Sequence, residues 1–147
     1  MWSTRYELRT FSRKIGFYNK EAADLIKFNN QKFIQNAQAI KQADDPRLIV
    51  LERYTPWKKT VHSLSDEAIF VVYPSHSGKW IVQTVPAELG SFEDRKSLPA
   101  PWAGLSDSEF QAVTGIDDAM FCHNGLFIAG AESFESVMSL ATMALEY

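Results

Sequence analysis

The sequence predicts an α+β fold: a small mixed or antiparallel sheet of about five strands with helices packed on it, preceded by a long N-terminal helix. The 147 residues are 46% hydrophobic and 22% charged, which is typical of a single globular domain. Short apolar runs near positions 49, 70, 82, 120 and 128 have strand length and are bounded by turn residues. The segments around them repeat apolar residues at three- and four-residue spacing, which indicates amphipathic helices.

We expect two parts, a helical N-terminal arm or linker over residues 1–45 and an α+β domain over residues 46–147. Met1–Lys20 carries five basic residues against one acid, with apolar residues at helical spacing. This pattern predicts a basic amphipathic helix that docks on the body of the protein, with a transit peptide or membrane-surface helix as the alternative. A second helix is predicted from about Asn19 to Ala43, where Asp44-Asp45-Pro46 ends it.

The first half of the domain contains three predicted strands and one helix. Leu48–Leu51 is a short apolar run and predicts the first strand. Thr55-Pro56 places an N-cap residue before a proline at the first helical position, which predicts a short helix. Ala68–Tyr73 is apolar without alternation and predicts a strand covered on both faces. His76-Ser77-Gly78 then makes the turn to an alternating strand, Trp80–Val85.

A long irregular segment, Pro86–Leu105, follows. Its aromatic residues, Phe92 and Trp102, predict an ordered loop that packs against the domain. The stretch Ser106–Glu109 has the spacing of a capping box, in which the serine and the glutamate each satisfy a free backbone amide at a helix start. Gly115 is the predicted end of that helix.

The last part of the domain reads as a hairpin followed by a helix. Asn124-Gly125 lies between the apolar stretches Ala119–Cys122 and Phe127–Ala129. This dipeptide favours the two-residue type I′ turn, so we predict a tight hairpin there. Ser133 is the predicted N-cap of a final helix with one apolar face.

Charge, cysteine content and hydropathy exclude several classes of protein. The formal net charge of −3 argues against indiscriminate binding to polyanions, although it permits a local basic patch. Cys122 is the only cysteine, which excludes a disulfide framework within the chain. No apolar run approaches the ~20 residues that span a bilayer, and no secretory signal is present. We therefore expect a cytoplasmic protein with no membrane partner, or a mitochondrial one if the basic N-terminus is a transit peptide.

The residues suited to catalysis are scattered. His62, His76 and His123 fall on a helix, in a turn and at a strand end, so they predict no metal site. Cys122 and His123 suggest a thiolate activated by an imidazole, but neighbours in a strand point to opposite faces. The sequence therefore predicts no catalytic residue and no metal ligand in this chain.

Cations beside aromatic residues indicate a ligand-binding surface. Lys58 follows Trp57, and Arg95 lies close to Phe92, an arrangement that suits a phosphate with a stacked base. The competing interpretation is that the aromatics anchor the core and the lysines form a solvated edge. A second candidate is the strand that passes through Gly130 into the last helix, because amides at a helix start attract anions.

Several stretches occur in the order found in a known family, namely Tyr54–Lys58, Phe70–Pro74, Trp80–Pro86, Ser91–Lys96, Leu98–Leu105, Phe121–His123 and Phe127–Gly130. Over roughly Arg47 to Leu145 the chain resembles the C-terminal part of the melanocyte-proliferating-gene-one (Myg) family. That family belongs to the DHH-type phosphoesterases, predicted metal-dependent hydrolases whose members are described as 3′–5′ RNA exonucleases.

The resemblance implies a substrate-binding part without its catalytic half. The family's metal-binding half carries a His-Asn-Gly-x-Phe-His-x-Asp-Glu motif and an Asp-His-His motif, and this sequence contains neither. A divalent metal, with manganese as one candidate, is therefore expected only in the half that is missing here. By analogy, the residues that would meet the phosphate of a nucleotide or single-stranded RNA are Lys58, Arg95, His123 and Gly130. Arg95 would clamp the phosphate, His123 would donate a hydrogen bond, and a turn at Gly130 would bring backbone amides close.

Two other functions stay open. The chain is alternatively an interaction module that pairs with a separately encoded metal domain or with itself as a homo-oligomer. The less favoured possibility is an autonomous enzyme that acts through Cys122 and His123.

Overall fold

The computed structural model describes residues 45–147. Its strands are β1 (Leu48–Val50), β2 (Phe70–Pro74), β3 (Trp80–Thr84), β4 (Ala119–Cys122) and β5 (Ile128–Ala131). Its α-helices are α1 (Lys58–Leu64), α2 (Asp107–Thr114) and α3 (Phe134–Glu146), and a 3-10 helix covers Ala100–Trp102. The predicted α+β class and five-stranded sheet are confirmed. The helices predicted before residue 45 lie outside the described residues.

The five strands form one mixed sheet in the order β1-β2-β3-β5-β4. β1 and β2 are parallel, whereas β2 with β3, β3 with β5 and β5 with β4 are antiparallel. β5 therefore lies inside the sheet, between the hairpin partner β4 and the earlier strand β3. No helix within residues 45–147 is both long enough and apolar enough to cross a bilayer.

The sheet is covered on both faces at β2, as the unbroken apolar run predicted. Phe70 and Val72 face the main core, where α3 contributes Leu140. Val71 points to the opposite face and is also fully buried. The parallel connection from β1 to β2 carries α1, whose Val61 is buried outside the main core cluster. Both faces of β2 are therefore buried.

α1 begins later than predicted. Its N-cap is Trp57, which makes no side-chain capping bond, so the prediction of a Thr55 cap is wrong. The Trp57 indole is almost completely buried. Burying such a large side chain stabilises more than a threonine cap, which contributes about 1 kcal/mol. Packing therefore decides where this helix starts.

The prediction of a capping box at the start of α2 is also wrong. Ser106 is the N-cap as predicted, but its side chain makes no capping hydrogen bond. Its backbone instead forms an isolated bridge with Phe121, and Asp107 adopts a positive φ of 48°. With the backbone of Ser106 bridged to β4, its side chain does not form the capping bond that the box requires.

The other two helix signals are confirmed. Gly115 ends α2 in the left-handed conformation, with φ 72°, and its N–H donates to the Gln111 carbonyl. Ser133 caps α3, because its Oγ accepts a hydrogen bond from the Ser136 N–H at 3.2 Å. Both helix ends depend only on residues that are close in sequence, so they can be predicted without knowledge of the fold.

The hairpin between β4 and β5 is not a type I′ turn. The Leu126 N–H donates to the His123 carbonyl at 2.9 Å, which closes a four-residue turn. The positive φ falls on Leu126, at 61°, and not on Asn124 or Gly125. The Leu126 side chain packs against the main core, and this burial fixes the wider turn.

The irregular segment between β3 and α2 is ordered by hydrogen bonds. Pro86 bridges Asp94, and the Ala87 N–H donates to the Glu93 carbonyl at 2.7 Å. Trp102 is buried and meets Phe110 edge-on, with ring centroids 5.5 Å apart. Phe92, by contrast, is fully exposed, so the prediction that it packs against the domain is wrong. Phe92 lies in the turn that this hydrogen-bonded ladder holds away from the core.

Candidate functional site

Asp94 and Arg95 lie at the carboxyl end of β3, Lys58 interacts with Asp94, and His123 is connected to the same strand end through Phe127. We call Lys58, Asp94, Arg95 and His123 the β3-end site. The Arg95 N–H donates to the carbonyl of Val85, the residue that follows the strand, at 2.9 Å. Lys58, at the start of α1, interacts electrostatically with Asp94. The structure thus brings Lys58 close to Asp94, which is distant from it in sequence.

The hairpin reaches the same strand end from the other side. The N–H of Thr84, the last residue of β3, donates to the Phe127 carbonyl at 2.9 Å. The Phe127 ring contacts the His123 ring, with centroids 4.7 Å apart and planes tilted by 54°. The exposed His123 also accepts a hydrogen bond at Nδ1 from the Gly125 N–H, at 2.9 Å. The turn therefore holds the imidazole in a defined position.

Arg95 is anchored rather than free in solvent. Its Nη1 donates to the Ala68 carbonyl at 2.8 Å. Burial lowers the pKa of Arg95 from its usual value, and the nearby charge of Asp66 opposes that change. Since arginine starts from so high a pKa, the guanidinium remains charged at neutral pH. The bond to Ala68 leaves further N–H groups of the planar fork for an anion.

Asp94 is the acidic member of the site. Burial raises the pKa of Asp94, whereas a hydrogen bond from Thr84 and the charge of Lys58 act in the opposite direction. The Asp94 carboxylate offsets part of the positive charge of Lys58. Since Asp66 likewise acts on Arg95, the β3-end site is part of a mixed-charge region in which each cation has an acidic neighbour.

Gly130 lies apart from these residues, and the predicted turn at Gly130 is wrong. The residue sits inside β5, opposite Ile81 of β3 and Phe121 of β4. A Cβ at this position would stand 2.7 Å from Phe121 Cε1 and 3.2 Å from Ile81 Cδ1. Three residues along the strand from Phe127 correspond to roughly 10 Å. The structure therefore gives Gly130 a packing role within the sheet.

A model of the MYG1_exonuc family, described as an uncharacterised protein family (UPF0160), matches residues 4–145. The chain belongs to the MYG1 family. It is 34% identical to the MYG1 protein YER156C of Saccharomyces cerevisiae over 93% of this chain and 45% of that protein. It is 32% identical to the MYG1 protein of Chlamydia trachomatis over 85% of this chain and 46% of that one.

A mouse relative has the more specific name MYG1 exonuclease. The identity is 38%, over 61% of this chain and 25% of the mouse protein. The chain spans less than half the length of all three relatives. No solved structure matches it. Membership of the MYG1 family confirms the resemblance seen in the sequence.

The cysteine of this MYG1-family chain is not activated. Cys122 faces the main core, and burial raises the pKa of its thiol to about 11. Its Sγ lies 3.6 Å from the backbone carbonyl oxygen of His123, whereas the His123 ring is engaged by the turn and Phe127. A thiol with this pKa is almost entirely protonated at neutral pH. The geometry therefore does not support nucleophilic catalysis by Cys122.

Divalent-metal chemistry does not fit the donor groups of the described part of the chain. Within residues 45–147 no three His, Cys, Asp or Glu side chains converge on one point. The β3-end site pairs a single carboxylate, Asp94, with the imidazole of His123. Metal-dependent phosphoester cleavage needs several such ligands around the ions, so we assign no step through a metal to these residues.

Two neighbours of the site residues, Lys96 and Trp57, have structural roles. Lys96 donates from Nζ to the Leu145 carbonyl at 2.9 Å, near the end of α3. Trp57 is buried and so is not available for base stacking. An open cavity of about 730 Å³ lies near Asp45, Arg47 and Glu67, but its two acids and one arginine do not suit an anion.

Sequence reasoning missed Asp94 and Gly125 as members of the functional region. Asp94 stands directly before Arg95 in the sequence stretch that carries the family resemblance. Gly125 was interpreted as a type I′ turn residue, although its φ is not positive. Its contact with His123 Nδ1 is the signal that the sequence alone does not show.

Proposed function

We propose that the chain binds the phosphate of a nucleotide or of single-stranded RNA at the β3-end site. It acts as the substrate-binding part of a MYG1-family phosphoesterase and is inactive by itself. The proposal rests on the position of Arg95 and Asp94 at the end of β3, with Lys58 acting on Asp94 and with His123 linked to that strand end through Phe127. The exonuclease name of the mouse relative agrees with such a substrate.

Each side chain of the site has a distinct role in this proposal. Arg95 presents a planar fork of donors that matches the oxygens of a phosphate. Lys58, which is exposed at the start of α1, supplies a mobile point charge. His123 donates a hydrogen bond from the edge of the hairpin. Hydrolysis of the phosphoester is assigned to the family's metal-binding half, so these residues bind and orient the substrate.

The charges of the site predict binding that is modest and salt-dependent. Asp94 offsets part of the attraction, and the whole chain has a net charge of −3. Long-range capture of RNA is therefore weak, and most of the binding free energy comes from contacts at the site itself. Salt screens such solvent-exposed contacts over about 8 Å at physiological ionic strength.

Two adjacent lysines provide a matched test of the proposal. Lys58 and Lys59 are both exposed at the start of α1, and the site includes only Lys58. Lys58→Ala should weaken AMP binding by roughly three- to tenfold, because an ionic contact to phosphate is lost. Lys59→Ala should change the affinity less than about twofold.

Isothermal titration calorimetry of the full chain with AMP, and with a short single-stranded RNA, measures these affinities. The wild-type chain should bind both ligands. Equal losses in the two lysine variants would place the phosphate elsewhere, and the absence of heat with either ligand in the wild type would contradict the proposed function.

A second candidate function is a protein-interaction module, favoured by the exposed loop between β3 and the 3-10 helix. Phe92 is completely exposed and Leu89 is half exposed, in a loop whose ends are hydrogen-bonded. Burying a phenylalanine stabilises an interface by about 1.5–3 kcal/mol. The candidate partners are a separate metal domain and a second copy of the chain.

Sedimentation velocity tests self-association through this loop. The interaction hypothesis predicts that the wild type associates as its concentration rises and that Phe92→Ser is less associated. Monomers at every concentration, together with no complex with a metal-domain segment of a relative, would contradict it.

A further inference from the structure

We propose that Gly125 is a positioning residue, which holds His123 with its Nδ1 unprotonated and its proton on Nε2. The outward edge of the ring then presents an N–H donor to the bound anion. The role toward an anion rests on the proposed function, whereas the orientation and tautomer of the ring follow from the hairpin itself.

The hydrogen bond at Nδ1 determines the tautomer. The Gly125 N–H donates to His123 Nδ1 at 2.9 Å, and a ring nitrogen that accepts a hydrogen bond carries no proton. A neutral imidazole has one N–H, which must then be on Nε2. The backbone amide of the turn therefore selects one of the two neutral forms.

Contacts explain why position 125 is a glycine. Its φ lies outside the left-handed range, so the backbone conformation does not require glycine there. A Cβ at Gly125, however, would stand 3.2 Å from His123 Nδ1 and 3.2 Å from Phe127 Cδ1. Both distances are shorter than ordinary van der Waals contact. The missing side chain leaves room for both rings.

Phe127 completes the support of the imidazole. Its ring centroid is 4.7 Å from that of His123, and its carbonyl is bonded to the Thr84 N–H at the end of β3. The histidine is thus held between the amide of the turn and a ring that is fixed to the sheet. In the neutral ring held in this way, the single N–H is on Nε2, where it can donate to an anion.

Long-range proton–nitrogen NMR on the ¹⁵N-histidine-labelled full chain tests the tautomer directly. In the neutral form of the ring, the His123 nitrogens should show the Nε2–H pattern. The exposed His76, in the turn between β2 and β3, serves as an internal reference in the same spectrum. A His123 spectrum with the Nδ1–H form in excess, or with an even mixture of the two forms, would overturn the proposal.

A pair of neighbouring variants tests the positioning role. Gly125→Ala should shift His123 toward a mixture of tautomers and weaken AMP binding by roughly three- to tenfold. This is less than the loss of about tenfold or more expected for removing a hydrogen bond to a charged group, because the bond is misaligned and not abolished. Asn124→Ala, in the same turn, leaves both the amide and the open space at position 125 and should preserve the tautomer and the affinity. A Gly125→Ala protein with the wild-type tautomer and affinity would contradict the positioning role.

The two proposals fail in distinguishable ways, because the tautomer is read without any ligand. A wild-type chain that has the Nε2–H form but binds neither AMP nor RNA contradicts the proposed function. A chain that binds AMP but has another tautomer contradicts the positioning role of Gly125.

Discussion

Gly130→Ala is expected to lower the free energy of unfolding by about 1–3 kcal/mol, the range for overpacking a well-packed site. The new Cβ would stand 2.7 Å from Phe121 Cε1 and 3.2 Å from Ile81 Cδ1. Both residues lie opposite Gly130 in the adjacent strands, so the sheet limits how far they can move. The φ of Gly130 lies outside the left-handed range, so the expected loss of stability is steric. Urea denaturation measures the free energy of unfolding of the two proteins.

A second substitution separates packing from ligand binding at this position. If the Phe121 ring causes the clash, Gly130→Ala should lower the free energy of unfolding by less in a Phe121→Leu background than in the wild type. The double-mutant cycle should give a coupling free energy of about 1 kcal/mol. AMP affinity should stay near that of the wild type in the folded Gly130→Ala variant. Unchanged stability with lost AMP binding would contradict the packing role and return Gly130 to the substrate site.

Arg95→Ala is expected to weaken AMP binding at least tenfold. A hydrogen bond to a charged partner contributes about 1.5–3 kcal/mol, and each 1.4 kcal/mol corresponds to roughly a factor of ten in affinity. Arg95 is held in place by its bond to the Ala68 carbonyl, so its fork is oriented before the phosphate arrives. Less conformational entropy is then lost on binding than with a free side chain.

The bond to Ala68 also gives Arg95 a structural role, which a conservative variant controls for. Arg95→Lys keeps the charge but loses the fork, so its AMP affinity should fall between those of the wild type and Arg95→Ala. Circular dichroism and urea denaturation show whether each variant is folded before binding is compared. An Arg95→Lys protein with full affinity would contradict the bidentate role.

Much of the fold is predictable because its signals are local. The unbroken apolar run at β2 indicated burial on both faces, and Ser133 and Gly115 marked helix ends through bonds to their own neighbours. The Thr55 cap and the Ser106–Glu109 capping box failed for a different reason. There, the burial of Trp57 and the bridge from Ser106 to β4 override the local preference.

The candidate site was predictable in its residues but not in its geometry. Charge and family resemblance indicate Lys58, Arg95 and His123 as candidates. The contacts that link Arg95 and Phe127 to the end of β3 depend on sheet order, which the sequence does not specify. The resemblance predicts a turn at Gly130 that brings backbone amides close to an anion, whereas Gly130 lies inside β5 and makes room for the Phe121 ring. Contacts between segments that are distant in sequence determine both the geometry of the site and the role of Gly130.

The AMP titration of Arg95→Ala beside Lys79→Ala tests the location of the phosphate site most directly. Lys79 precedes β3 at the opposite end of the strand, where its Nζ is 3.2 Å from Glu132. A phosphate bound at the β3-end site predicts at least a tenfold loss of affinity in folded Arg95→Ala, at about 1.5–3 kcal/mol for the lost contact, and no measurable change in Lys79→Ala. Unchanged affinity in folded Arg95→Ala, or a comparable loss in Lys79→Ala, would contradict the site.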